Sequence, residues 1–202
     1  MAIFGNWFIH HRKVKHIDAL FPAAMKIDID NELTLKQLAP TDAAAIFSTI
    51  DSQRAYLGQW LPFVAYTQSV ADTESFVQGI VNAPEADFEY VFTIRKHDEF
   101  VGLIGFKDTD RLNHKTEIGY WLSEPYQKQG IVTKSVQKLI EFAFEELAIH
   151  RIQIKCATGN LPSKNIPRKL GFVLEGVERQ GECVGPGSYR DLEIYSLLRS
   201  DI

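Results

Sequence analysis

Glu117-Ile118-Gly119-Tyr120-Trp121-Leu122, followed a few residues later by Gln127-Lys128-Gln129-Gly130-Ile131-Val132-Thr133, is the stretch that decides how this chain folds. Its first half is rich in β-formers and predicts a strand over residues 116–122. Its second half contains one glycine and runs into Val136, Leu139, Ile140, Ala143, Phe144 and Leu147, the i, i+3, i+4 spacing of an amphipathic helix. A strand therefore delivers the chain, through a short loop, to a helix N-terminus. The first turn of a helix presents N–H groups without partners and a partial positive charge, so such a junction attracts phosphate. Gly130 lets backbone approach closely where a side chain would intrude, while Lys128 and Thr133 add a charge and a hydroxyl. The spacing is neither the GxxxxGK[ST] of a P-loop nor the GxGxxG of a dinucleotide turn. Taken alone, it also fits an ordinary strand–helix turn.

Upstream, Leu33 and Leu35 predict a strand, and Pro40-Thr41-Asp42 starts a helix with Ala45, Ile46, Thr49 and Ile50 on one face. Residues 56–63 are aromatic and closed by Pro62, which predicts a loop or short helix. A second helix is predicted over 69–82, with Phe76, Ile80 and Val81 inward. Strands over 88–96 and 99–107 flank the hairpin-like pair His97-Asp98. Downstream, Ile152, Ile154 and Cys156 alternate as a strand, and a short helix over 162–170 ends at Gly171, a favoured residue just past a helix. Residues 172–182 and 189–198 form a final antiparallel pair across Gly185-Pro186-Gly187. The order β-α-α-β-β-β-α-β-α-β-β is an α/β mixture with one parallel crossover.

Composition bounds what this fold does. Of 202 residues, 45% are hydrophobic and 24% charged, which excludes disorder, collagen and coiled coil and gives enough chain for a full core. Lys+Arg of 22 against Asp+Glu of 26 gives −4, which argues against a bulk electrostatic grip on nucleic acid. The charge is uneven. Residues 1–25 carry Arg12, Lys13 and Lys15 against Asp18, or +2, leaving −6 for residues 26–202. Residues 1–25 are expected to be a basic, solvated arm, with Met25 an alternative start, and residues 26–202 the domain. In the arm an apolar stretch precedes the basic cluster, the reverse of a signal peptide, and no apolar run reaches the roughly 18–20 residues of a membrane span. Cys156 and Cys183 have no metal-ligand spacing, and two reduced thiols in a cytoplasmic protein is the expectation.

Four motifs in register carry a resemblance. Gln127-Lys128-Gln129-Gly130-Ile131-Val132 resembles the [QR]-x-x-G-x-[GA] acetyl-CoA motif of the Gcn5-related N-acetyltransferases. Asn160-Leu161-Pro162-Ser163, then Lys169-Leu170-Gly171-Phe172, is similar to that superfamily's N-x-x-S…K-L-G-F segment. Tyr56-Leu57-Gly58-Gln59-Trp60-Leu61-Pro62-Phe63 is similar to the YL-x-x-WLP-[FW] signature of the RimJ/RimL branch, which acetylates N-terminal residues of ribosomal proteins. The tail, Glu175-Gly176-Val177 to Gln180-Gly181-Glu182, fits the same branch. The resemblance covers roughly residues 33–198 and implies a mixed, mostly antiparallel sheet of about seven strands, splayed centrally and flanked by about four helices.

It also implies roles. The amides of Gln127, Lys128, Gln129, Gly130, Ile131, Val132 and Thr133 would hold the pyrophosphate of coenzyme A. The backbone of Tyr120, Trp121 and Leu122 would pair with its pantetheine arm and face the thioester oxygen, and Asn160 would bond the same arm. Ser163 falls near the coenzyme sulfur, Glu182 on the branch's general base, and Trp60 and Phe63 beside the acceptor. The chemistry asks for such groups independently. An attacking amine must be neutral, and an α-amine, at about 7.7–8.0, needs less help than a lysine at about 10.4. The oxyanion needs a preset N–H donor and the leaving thiolate a proton. Two departures stand out. Val132 replaces a small residue, and Pro167 removes the N–H that would bond the Ser163 carbonyl, so the helix either starts later or kinks. No metal is required, Cys156 reads as core, and neither nucleic acid nor membrane is an expected partner. A homodimer accords with similar proteins. The acceptor stays open between a protein α-amine and a polyamine or aminoglycoside. A non-catalytic acetyl-CoA-binding module is disfavoured because a binder needs neither Glu182 nor Ser163.

Overall fold

Residues 25–202 are described by the structure, a computed structural model; all but Met25 of the expected basic arm lies outside them. The strands are β1 (Lys26–Asp28), β2 (Leu33–Gln37), β3 (Val91–Lys96), β4 (Glu99–Asp110), β5 (Lys115–Leu122), β6 (Arg151–Ala157), β7 (Val173–Gly185) and β8 (Ser188–Leu198). The helices are α1 (Ala43–Ser52), the single turn α2 (Arg54–Leu57), α3 (Val70–Val81), α4 (Ile131–Glu145) and α5 (Leu161–Lys169). One sheet runs in the order β1-β2-β3-β4-β5-β6-β8-β7. Every neighbour is antiparallel except β5 and β6.

Side-chain alternation along β5 splits the core into two layers. Ile118, Tyr120 and Leu122 point to one face, where they meet α4 and the apolar side of β6. Trp121 points to the other and packs with Leu103, Ile46, Ile50 and Val77 of the layer that α1 and α3 cover. The first turns of α4 hold Ile131, Val132, Thr133 and Val136, β-branched residues that weaken a helix by tenths of a kcal/mol each. Burial of Val136, Leu139, Ile140, Ala143 and Phe144 overrides this, since each large side chain contributes about 1.5–3 kcal/mol.

The α/β mixture with one parallel crossover is present, with eight strands rather than about seven and five helices rather than about four. The extra strand is the edge β1, three residues too short to show a periodicity. In α3 Thr73, Val77 and Ile80 are buried, and the expected Phe76 and Val81 pack against the same core while partly exposed. Ser69 caps that helix and Asp72 returns to the Ser69 N–H at 2.8 Å, a reciprocal box. His97 and Asp98 both have positive φ (48° and 64°), as a two-residue hairpin turn requires.

The later helix start foreseen for Pro167 does not occur. α5 starts at Leu161, no later than Pro162, and continues through Pro167 to Lys169. The Ser163 carbonyl that Pro167 cannot serve accepts the Tyr120 hydroxyl at 3.2 Å instead. A side chain from β5 thus repairs the defect in α5.

Candidate active site

The parallel pair β5–β6 is hydrogen-bonded only where residues 115–117 face 151–153. Beyond Glu117 the two strands part, while β5 stays paired with β4 to Leu122. The backbone of Tyr120, Trp121 and Leu122 therefore has an edge turned to an open cleft, the place where an extended ligand can add as a strand. The three side chains themselves are buried.

The loop at the end of β5 is shaped for an anion. Lys128 (φ 61°) and Gly130 (φ 74°) are both left-handed, the curl from which amide nests are made. Gly130 is the N-cap of α4 and no side chain caps that end. The first helical bond is Lys134 N–H to the Gly130 carbonyl at 3.0 Å, so the amides of Ile131, Val132 and Thr133 precede the ladder. Side chains hold the loop from behind. Gln127 donates to the Tyr56 hydroxyl, and Gln129 accepts from Lys96 Nζ at 2.8 Å while donating to the Pro125 carbonyl at 3.2 Å. These amides are the groups that could hold a pyrophosphate, and the glutamine side chains anchor the loop; Tyr56 had a signal as the first residue of the 56–63 signature, Lys96 none beyond its charge.

Across the cleft, Asn160 caps α5, its Oδ1 accepting the Ser163 N–H at 3.2 Å. Ser163 is fully buried. Its Oγ lies 3.3 Å from the Tyr120 hydroxyl and 3.2 Å from Cys156 Sγ, a short polar chain between β5, β6 and α5. Cys156 belongs to the core, and burial pushes its thiol pKa up. Both cysteines are free.

Glu182 is the one buried residue of β7 and is only 7% exposed. Neither carboxylate oxygen accepts a hydrogen bond, although Oε2 lies 3.1 Å from Arg190 Nε. Burial pushes its pKa up to about 7, opposed by Arg190 and Lys107 and assisted by Glu117. Lys107 and Glu117 are cross-strand partners, both buried, with Nζ 2.8 Å from Oε1. Trp60 packs beside Ala157 and Leu192, whereas Phe63 is in the core behind it, 4% exposed. Contacts join Ser163 with Tyr120 and Asn160, and Arg190 joins Glu182 with Trp60, whereas Phe63 lies in the core. Arg190, Lys107 and Glu117 were missed as site residues. Arg190 had a signal, since it and Glu182 lie equally far from Pro186 in the last hairpin and so face each other.

A splayed parallel pair beside an uncapped helix behind a glycine loop is the arrangement that an acyl-coenzyme A-dependent transferase requires. The profile of the acetyltransferase (GNAT) domain family matches residues 32–173. The ribosomal-protein-serine acetyltransferase of Escherichia coli (strain K12) is 33% identical over 172 residues, covering 85% of this chain and 96% of that protein. Among solved structures, RimL, a ribosomal L7/L12 alpha-N-protein acetyltransferase in complex with coenzyme A, superposes with a TM-score of 0.81 at 29% identity, covering 86% and 98%. The microcin C7 self immunity acetyltransferase MccE, in complex with acetyl-CoA and AMP, gives 0.80 at 28%, covering 84% and 94%. The chain belongs to the GNAT acetyltransferase family and is an acetyl-CoA-dependent N-acetyltransferase. Among the described residues, no helix is long and apolar enough to cross a membrane.

Proposed function

We propose that this enzyme acetylates the N-terminal α-amine of a protein, a ribosomal protein in the first instance, by direct attack in a ternary complex with Glu182 as general base. One observation carries the reading: Glu182 is a buried carboxylate with no hydrogen bond, pushed up to about 7, and the Arg190 beside it lies over the Trp60 ring. A base at that value is matched to an α-amine at about 7.7–8.0 and poorly matched to a lysine at about 10.4. The named activities of the Escherichia coli protein and of RimL point the same way.

Acetyl-CoA, when bound, supplies the acetyl group as a thioester. The amides of residues 127–133 hold its pyrophosphate, and Asn160 with the backbone of Tyr120, Trp121 and Leu122 orients its arm. An amide there also faces the thioester oxygen, where negative charge develops. Glu182 takes the proton from the attacking amine. Ser163, whose Oγ lies 3.3 Å from the Tyr120 hydroxyl, donates a hydrogen bond to the leaving sulfur. Trp60 lines the acceptor side and Phe63 supports it from the core. The free thiols accord with a cytoplasmic location.

The test is an acceptor screen read by released thiol, using a peptide with a free N-terminal serine, spermidine and an aminoglycoside. The peptide is expected to turn over fastest; preference for either small amine would replace the protein acceptor. With that peptide, Glu182→Gln is expected to lower kcat by about 10²–10⁴ and leave acetyl-CoA affinity unchanged. Equal kcat in the variant removes Glu182 from the base role.

A further inference from the structure

β7 is irregular just before Glu182. Its pairing with β8 shifts once between Leu174 and Gly176, runs to Glu178 opposite Leu192, shifts again, and resumes at Glu182 opposite Arg190. Within the shift Gln180 is left-handed (φ 53°), and its N–H donates to Asp191 Oδ1 at 2.7 Å. Such a bulge re-aims the side chains beyond it, and here it buries Glu182 on a strand otherwise open to solvent.

Arg190 faces it with three contacts. Nε is 3.1 Å from Glu182 Oε2, Nη1 donates to the Gln59 carbonyl at 3.1 Å, and the guanidinium lies 5.9 Å over the Trp60 ring. One side chain joins the β7–β8 hairpin to the wall that carries Trp60. A two-pronged arginine–carboxylate pair would fill both oxygens. The single Nε approach leaves both able to accept a proton.

We propose that Arg190 is a positioning residue, which holds the Glu182 carboxylate toward the cleft and, through Gln59 and Trp60, sets the width of the acceptor mouth. This rests on Glu182 being the base. The charges facing Glu182 are Arg190 from β8, Lys107 from β4 and Glu117 from β5; on its own strand Glu178 is paired with Lys155 of β6 at 2.9 Å. Arg190 and Lys107 favour the carboxylate and Glu117 opposes it.

The experiment is the pH profile of kcat/KM with the N-terminal-serine peptide, with acetyl-CoA binding measured on each variant. Arg190→Met is expected to move the acid limb up by about one pH unit or more, a roughly tenfold loss on the acid side that recovers at alkaline pH. Glu117→Gln moves the limb down. Arg190→Lys keeps the limb in place but raises the peptide KM, because an ammonium cannot reach carboxylate, carbonyl and ring together. An unmoved limb in Arg190→Met, where Glu182→Gln abolishes that limb, overturns the proposal while sparing the base assignment. A limb that survives Glu182→Gln at the parent's value, apart from the one that the peptide's own amine sets at about 7.7–8.0, overturns both. Should Arg190→Met fail to fold, Arg190→Lys decides: unchanged KM overturns the role of Arg190.

Discussion

At Gly130 the need for glycine is conformational and electrostatic, not steric. A Cβ there meets nothing within 4 Å, but φ is 74°, a conformation that costs an L-residue about 1–2 kcal/mol. Gly130→Ala is therefore expected to weaken acetyl-CoA binding only several-fold. Gly130→Glu places a carboxylate at the positive end of α4, which suits the helix but occupies the ground a phosphate would take. The variant should stay folded and lose acetyl-CoA binding in titration calorimetry; unchanged affinity would remove this loop from the pyrophosphate role. The loop was legible because glycine, polar flank and apolar period adjoin in sequence. Glu182 was legible only through family motifs, since the bulge that buries it depends on Gln180 adopting a left-handed conformation and on Asp191, neither of which forms a pattern.

At the scale of an element, α5 and β5 show how a sequence defect becomes a contact. Pro167 leaves the Ser163 carbonyl without its helical donor, and Tyr120 supplies one at 3.2 Å. Tyr120→Phe leaves that buried carbonyl unpaired and is expected to cost about 1–3 kcal/mol in urea unfolding. Pro167→Ala restores the N–H, so in that background Tyr120→Phe should cost less, a coupling visible in a double-mutant cycle. Equal costs in both backgrounds would mean that Tyr120 does not serve the carbonyl. The proline was visible in the sequence but its partner was not, because Tyr120 and Ser163 are 43 residues apart. In α4, whose local period is strong, the expected Val136, Leu139, Ile140, Ala143 and Phe144 are buried, whereas Leu147 falls past the last residue, Glu145. β1, with 3 residues, and the single turn α2, with 4, were beyond such reading, being too short to repeat the period that reveals a strand or helix.

Over the whole molecule, net charge proved a poor guide to the cleft. The −6 body carries Lys107, Lys155 and Arg190 against Glu117, Glu178 and Glu182 around the acceptor side, so the site is balanced within an acidic chain. That balance leaves Glu182 raised to about 7, above its ordinary 4.5, so its function opposes its stability. The folded chain favours the protonated carboxyl. Stability from this group is full below about pH 4.5 and is lost progressively as pH rises to about 7. Gln mimics the protonated form and keeps no charge to bury. Glu182→Gln is therefore expected to match the parent in denaturant midpoint at pH 4.5 and below, and to exceed its stability by about 3 kcal/mol at pH 8, while losing turnover. A variant equally stable with the parent at both pH values would show that Glu182 is solvated in the folded chain, and with that the matched base would be gone.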